Sequence, residues 1–166
     1  MAYTNRALLA LGVLTMGWLV APTEASAQIE ELKMTVDGLT CSLCAAGLER
    51  SLRRLDDVSG VDVSLANKTA IVRLKSGNSF DPDTFRAAVS NAGQQVRAFE
   101  LRLSAVVRAE HGAYRLQPGR GMPVAVRAGS ADKLKPLVGR TVRARATVVS
   151  APRSPLELEL TDVLPR

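Results

Sequence analysis

The strongest constraint on this chain is the order in which its hydrophobic period changes between residues 31 and 103. Leu32, Met34 and Val36 alternate with Glu31, Lys33 and Thr35, the period of a half-buried strand. After Asp37-Gly38-Leu39-Thr40 breaks the pattern, Cys44, Leu48, Leu52 and Leu55 recur at steps of four, four and three. That spacing predicts an amphipathic helix with Glu49, Arg50, Arg53 and Arg54 outside the apolar stripe. Two alternating runs follow, Val61-Val63-Leu65 and Ala70-Val72-Leu74, and Ala66 to Thr69 between them suits a tight hairpin. Asp81-Pro82 is a cap followed by proline at the first helical position, so a second helix opens there, buries Phe85, Ala88 and Val89, and stops at Gly93. Val96 to Leu103 is again strand-like. The order is βαββαβ, which predicts a ferredoxin-like sandwich with two helices on one face of an antiparallel sheet.

Two flanking regions complete the reading. Arg6 precedes an uncharged run from Ala7 to Thr23, and Ala25-Ser26-Ala27 is a small-x-small pattern before Gln28. This predicts a secretory signal peptide over residues 1–27, cleaved after Ala27, and export to a bacterial periplasm. The apolar run is shorter than the roughly 20 residues a spanning helix needs. Residues 28–99 then form the ferredoxin-like domain and residues 100–166 a second one. Charge divides at the same place: 9 basic against 10 acidic residues from Gln28 to Glu100, but 12 against 5 from Leu101 to Arg166. The basic half offers contact with an anionic membrane surface or an acidic partner, and an Arg-rich solvated strand face explains it equally well.

The second half reads as short strands: Leu103 to Arg108, Tyr114 to Leu116, Val124 to Val126, Val142 to Val148 and Leu156 to Leu160, with one or two helical turns between Ala131 and Leu137. Five strands with a helix after the third predict a small all-β OB-like barrel. The fold class expected for the chain is therefore α+β. Tyr114 is the one aromatic after Phe99, which argues against nucleic acid, because OB folds bind it by stacking aromatics in a basic groove. With His111 as the sole histidine and no phosphate-cradling glycine loop, no catalytic machinery is expected. His111 and Met122 alone do not make a second metal site in this half.

The chemistry concentrates at Cys41 and Cys44, the chain's two cysteines. A disulfide-stapled secreted fold uses several distant pairs, so a pair three residues apart serves a local purpose. Cys41 is placed in the loop after the first strand and Cys44 in the first helical turn. Unpaired N–H groups and the helix dipole favour thiolates there. Two thiolates so spaced can converge on one soft ion, Cu(I) first, whereas structural zinc wants four ligands. Two other readings stay open: a thiol–disulfide redox protein, whose CxxC helix would be followed by a strand and another helix rather than a hairpin, and an inert short-loop disulfide in an adaptor that docks a membrane partner.

Gly38-Leu39-Thr40-Cys41-Ser42-Leu43-Cys44, followed by Leu48, Leu52 and Val61, resembles the heavy-metal-associated domain over about residues 29 to 99. That family contains copper chaperones, metal-binding domains of copper-transporting ATPases and a periplasmic mercury-binding protein. The resemblance implies that Cys41 and Cys44 bind Cu(I), Hg(II) or another soft ion and pass it to a protein partner by thiolate exchange. Two positions depart from the family pattern. Leu39 stands where Met is usual, a swap of similar volume. Gln94 stands where bacterial relatives often carry an aromatic beside the metal.

Overall fold

The computed structural model describes residues 28–119 and 123–165. The signal peptide expected over residues 1–27 lies outside the described residues, as does Met122. Among the described residues no helix is long and apolar enough to cross a membrane.

The first half folds in the expected order: β1 (Gln28–Asp37), α1 (Ser42–Arg53), β2 (Val58–Ser64), β3 (Thr69–Leu74), α2 (Pro82–Asn91) and β4 (Gln95–Glu110). Its strands lie in the order β2-β3-β1-β4, all antiparallel, which is the ferredoxin-like arrangement. Leu48 and Leu52 from the α1 stripe are fully buried, and Cys44 and Leu55 pack at its margins. Each such leucine is worth about 1.5–3 kcal/mol relative to exposure. The Asp81 carboxylate caps α2 by accepting hydrogen bonds from the N–H groups of Asp83 and Thr84, both at 3.1 Å, with Pro82 at the first turn. Phe85, Ala88 and Val89 face the sheet and are buried.

The second half adds β5 (Ala113–Gln117), β6 (Val124–Val126), α3 (Ala131–Leu134) between short 3-10 turns, β7 (Thr141–Val148) and β8 (Glu157–Pro165). His111 and Gly112, both at positive φ, make the two-residue turn between β4 and β5. Strands β4, β5, β6, β8 and β7 pair in sequence, and β7 returns to β4, so five strands close a ring of pairings. All of these pairings are antiparallel except β6 with β8. Ala105, Val107, Leu116, Leu134, Val142 and Leu158 fill its inner side.

The joint between the halves is a strand. The sequence pattern reads as two strands meeting at Leu103, whereas β4 runs unbroken for 16 residues. Along Glu100 to Ser104 it pairs with β1 on one edge and β7 on the other, so Leu103 faces both Ile29 and Ala144. No glycine, proline, asparagine or aspartate interrupts Leu101 to Glu110, and side chains on both faces are covered there: Leu103, Ser104 and Ala105 are all buried. The buried apolar side chains make one cluster from Ile29 to Leu160.

Candidate metal centre

The cysteines sit where β1 hands over to α1. Strand β1 ends at Asp37, which forms an ion pair with Arg97 of β4. Gly38 then turns the chain at φ 82°, a conformation only glycine takes without strain. Leu39 drops into the core at 2% exposure, which anchors the loop from beneath. Thr40, Cys41, Ser42 and Leu43 are exposed above it, and Cys44 is half-buried.

Cys41 is the N-cap of α1, with extended backbone angles. Its Sγ accepts a hydrogen bond from the Cys44 N–H at 3.1 Å, and its carbonyl accepts one from Ala45 N–H at 3.0 Å. A sulfur therefore takes the capping place usually held by Ser, Asp or Asn. The two cysteines have Cα atoms 5.1 Å apart and are joined as a disulfide. Both expected ligands are thus brought together, and in the oxidised form. Opening that bond frees two sulfurs side by side at the positive end of a 12-residue helix. Among the described residues no three His, Cys, Asp or Glu side chains cluster closely enough to share a metal ion.

Gln94, buried at 5% exposure, packs behind the loop. Its Cγ would lie 3.6 Å from a Cβ built on Gly38, and its Oε1 has no hydrogen-bond partner. It is held there by its own N–H donating to Val89 O at 3.1 Å, which closes the C-terminus of α2. One feature went unmarked in the sequence: Leu43, between the cysteines, is 84% exposed. Its place is legible in hindsight, because it falls off the stripe formed by Cys44, Leu48 and Leu52. His111 stands at the tip of the β4–β5 turn, exposed and far along the chain from the pair.

A βαββαβ sandwich with a cysteine pair at its first strand-to-helix turn defines a class of small thiol-bearing ferredoxin-like modules. Residues 33–95 of this chain match the heavy-metal-associated domain. Copper-transporting ATPase 1 of Rhizobium meliloti is 37% identical over 62 residues, 37% of this chain and 7% of that protein. The mercuric transport protein periplasmic component of Pseudomonas fluorescens is 34% identical over 62 residues, 37% of this chain and 66% of that protein. The chain thus spans a small fraction of the ATPases it matches and just under two thirds of the mercuric protein. Among solved structures, oxidized MerP from Ralstonia metallidurans is 24% identical, with a TM-score of 0.38, over 41% of this chain and 93% of that one.

Proposed function

We propose that this is a periplasmic soft-metal-binding and transfer protein in which Cys41 and Cys44, once reduced, hold Cu(I) or Hg(II) as a bis-thiolate pair. The observation that carries the reading is the adjacency of the two sulfurs at the exposed start of α1. Thiolates are soft ligands, and two of them satisfy a low-coordinate soft ion. Because Cys41 is exposed, an incoming thiolate of a protein partner can attack the bound ion and take it over by ligand exchange. Leu43, at the same tip, gives that partner an apolar contact. The names of the relatives, copper-transporting ATPases and a mercuric transport protein, support a metal cargo. The word periplasmic in the second name, together with the leader pattern over residues 1–27, supports export. In this reading residues 28–99 carry the cargo site, and residues 100–166, a ring of strands read as OB-like, form a second unit built on the shared β4.

The disulfide favours one other reading, a thiol–disulfide redox protein. A direct hairpin after the CxxC helix, β2 with β3, weighs against it. One experiment separates them. Protein reduced with excess thiol is titrated with Cu(I) against a chromophoric chelator, and turnover of a disulfide substrate is followed in parallel. Stoichiometric binding of one ion, lost in Cys41→Ser and in Cys44→Ser, is the expected result. Equal binding by either variant refutes the site, and steady turnover without metal binding transfers the assignment to redox chemistry.

A further inference from the structure

Opposite the helices, the outer face of the sheet carries a row of charges in cross-strand register. Arg73 on β3 faces Glu31 on β1, Glu31 faces Arg102 on β4, Arg102 faces Arg145 on β7, and Arg145 faces Asp162 on β8. Opposite signs alternate along this row and fail once, at Arg102 and Arg145. Like charges directly across a strand pair are unfavourable. One register step along, Arg143 points to the same face and stands opposite Leu164, which is 56% exposed.

The carboxylates nearby cancel this cluster only in part. Glu31 pairs with Arg102 at 3.6 Å, Glu100 with Lys33 at 3.0 Å, and Glu30 accepts from Ser104 Oγ at 3.0 Å, while among the described residues neither Arg143 nor Arg145 forms an ion pair. Asp162 faces Arg145 in register without an ion pair between them. Two depressions, of about 290 and 270 Å³, flank Arg102 and Arg145 on this face; Glu31 and Glu100 also line the first, and Arg143, Asp162 and Leu164 the second. The patch sets arginine side chains beside an exposed leucine. Arginine forks match phosphate oxygens, and a leucine at the same level can enter the boundary between headgroups and acyl chains.

We propose that Arg102, Arg143 and Arg145, with Leu164, form a docking face for an anionic phospholipid surface. Lipid phosphates would stand between Arg102 and Arg145 and supply the negative charge that the cross-strand row lacks. This assignment does not depend on the metal reading, and none of its residues lies in the cysteine loop.

The test is co-sedimentation of the full chain with vesicles of phosphatidylglycerol and phosphatidylcholine, compared with phosphatidylcholine alone. The uncharged stretch from Ala7 to Thr23 meets both lipids alike, and Arg6 before it is common to every variant, so the comparison of variants reports the charged face. The expected result is binding that is stronger with phosphatidylglycerol and falls with added salt. Arg143→Ser with Arg145→Ser should weaken that binding about 20- to 30-fold, from about fivefold for each cation near an anionic surface. Arg50→Ser with Arg54→Ser removes the same charge from the exposed side of α1 and should leave binding close to wild type. Equal losses in the two double variants would show a mere net-charge effect and overturn the proposal. So would equal binding to both vesicle types, or capture of soluble glycerol phosphate or an acidic peptide at the arginines with no vesicle preference. Removing Arg143 and Arg145 relieves repulsion at exposed positions, so these variants are expected to fold.

Discussion

The Asp83 carboxylate accepts a hydrogen bond of 2.8 Å from the backbone N–H of Arg153, joining the first turn of α2 to the loop between β7 and β8 across 70 residues of chain. The other carboxylate oxygen accepts from Arg86 Nη1 at 2.7 Å. These contacts, the Arg153 N–H first and the Arg86 guanidinium second, lower the Asp83 pKa from its ordinary 3.8. A carboxylate depressed on folding adds stability above its unfolded value, and that stability is lost as pH falls through the folded one. Asp83→Asn should therefore melt below wild type at neutral pH. The gap should close as pH drops through and below the usual carboxylate range. The effect is modest because Asp83 is exposed. Melting curves across that range that stay separated by a constant gap would contradict this account.

Leu103 is 1% exposed and packs where β4 is shared. Leu103→Ala should cost about 2–5 kcal/mol. Because its neighbours in register are Ile29 on β1 and Ala144 on β7, both halves should lose stability together. Hydrogen exchange of β1 and β7 amides measures this, and loosening of one strand alone would count against a common strand.

Gly38→Ala tests the loop. The new Cβ would sit 3.6 Å from Gln94 Cγ, an ordinary contact, so crowding is not the expected penalty. The penalty is the left-handed backbone, φ 82°, worth about 1–2 kcal/mol for a residue with a side chain. Denaturant unfolding checks it; an unchanged midpoint would show that the loop had relaxed to another conformation.

Reduction should expose an asymmetry in the cysteines. Cys41 is exposed at the N-cap and Cys44 half-buried in the first turn. Iodoacetamide should therefore modify Cys41 first, as read by peptide mass mapping over time. Preferential labelling of Cys44 would mean that opening the disulfide rearranges the loop.

Much of this architecture is local chemistry and can be read from the chain. The four-four-three spacing from Cys44 to Leu55 leaves one way to bury α1, and Asp81-Pro82 marks where α2 begins. The alternations around Val61 and Val72 identify β2 and β3, and the five short strands read from Leu103 onward match the five ring strands. The features that escaped are set by distant partners. That β4 continues past Leu103 depends on β1 and β7 pairing with it from both edges, and nothing in residues 95–110 encodes those neighbours. The confrontation of Arg102 with Arg145 is a register fact between strands 43 positions apart. The linkage of Cys41 to Cys44 did not escape but stood among the open readings, since it depends on the surrounding reductant as much as on spacing.

The length of β4 has a consequence for how the sulfurs meet other molecules. Gln95, where β4 begins, lies opposite Asp37 at the root of the cysteine loop, and Arg102 is seven residues further along. At about 3.3 Å per residue, roughly 23 Å of strand separates the two points. The thiols stand at the rim of the slab rather than on its broad side. A molecule resting flat on that side would still hold its rim open, so anchorage and delivery need not compete for the same ground.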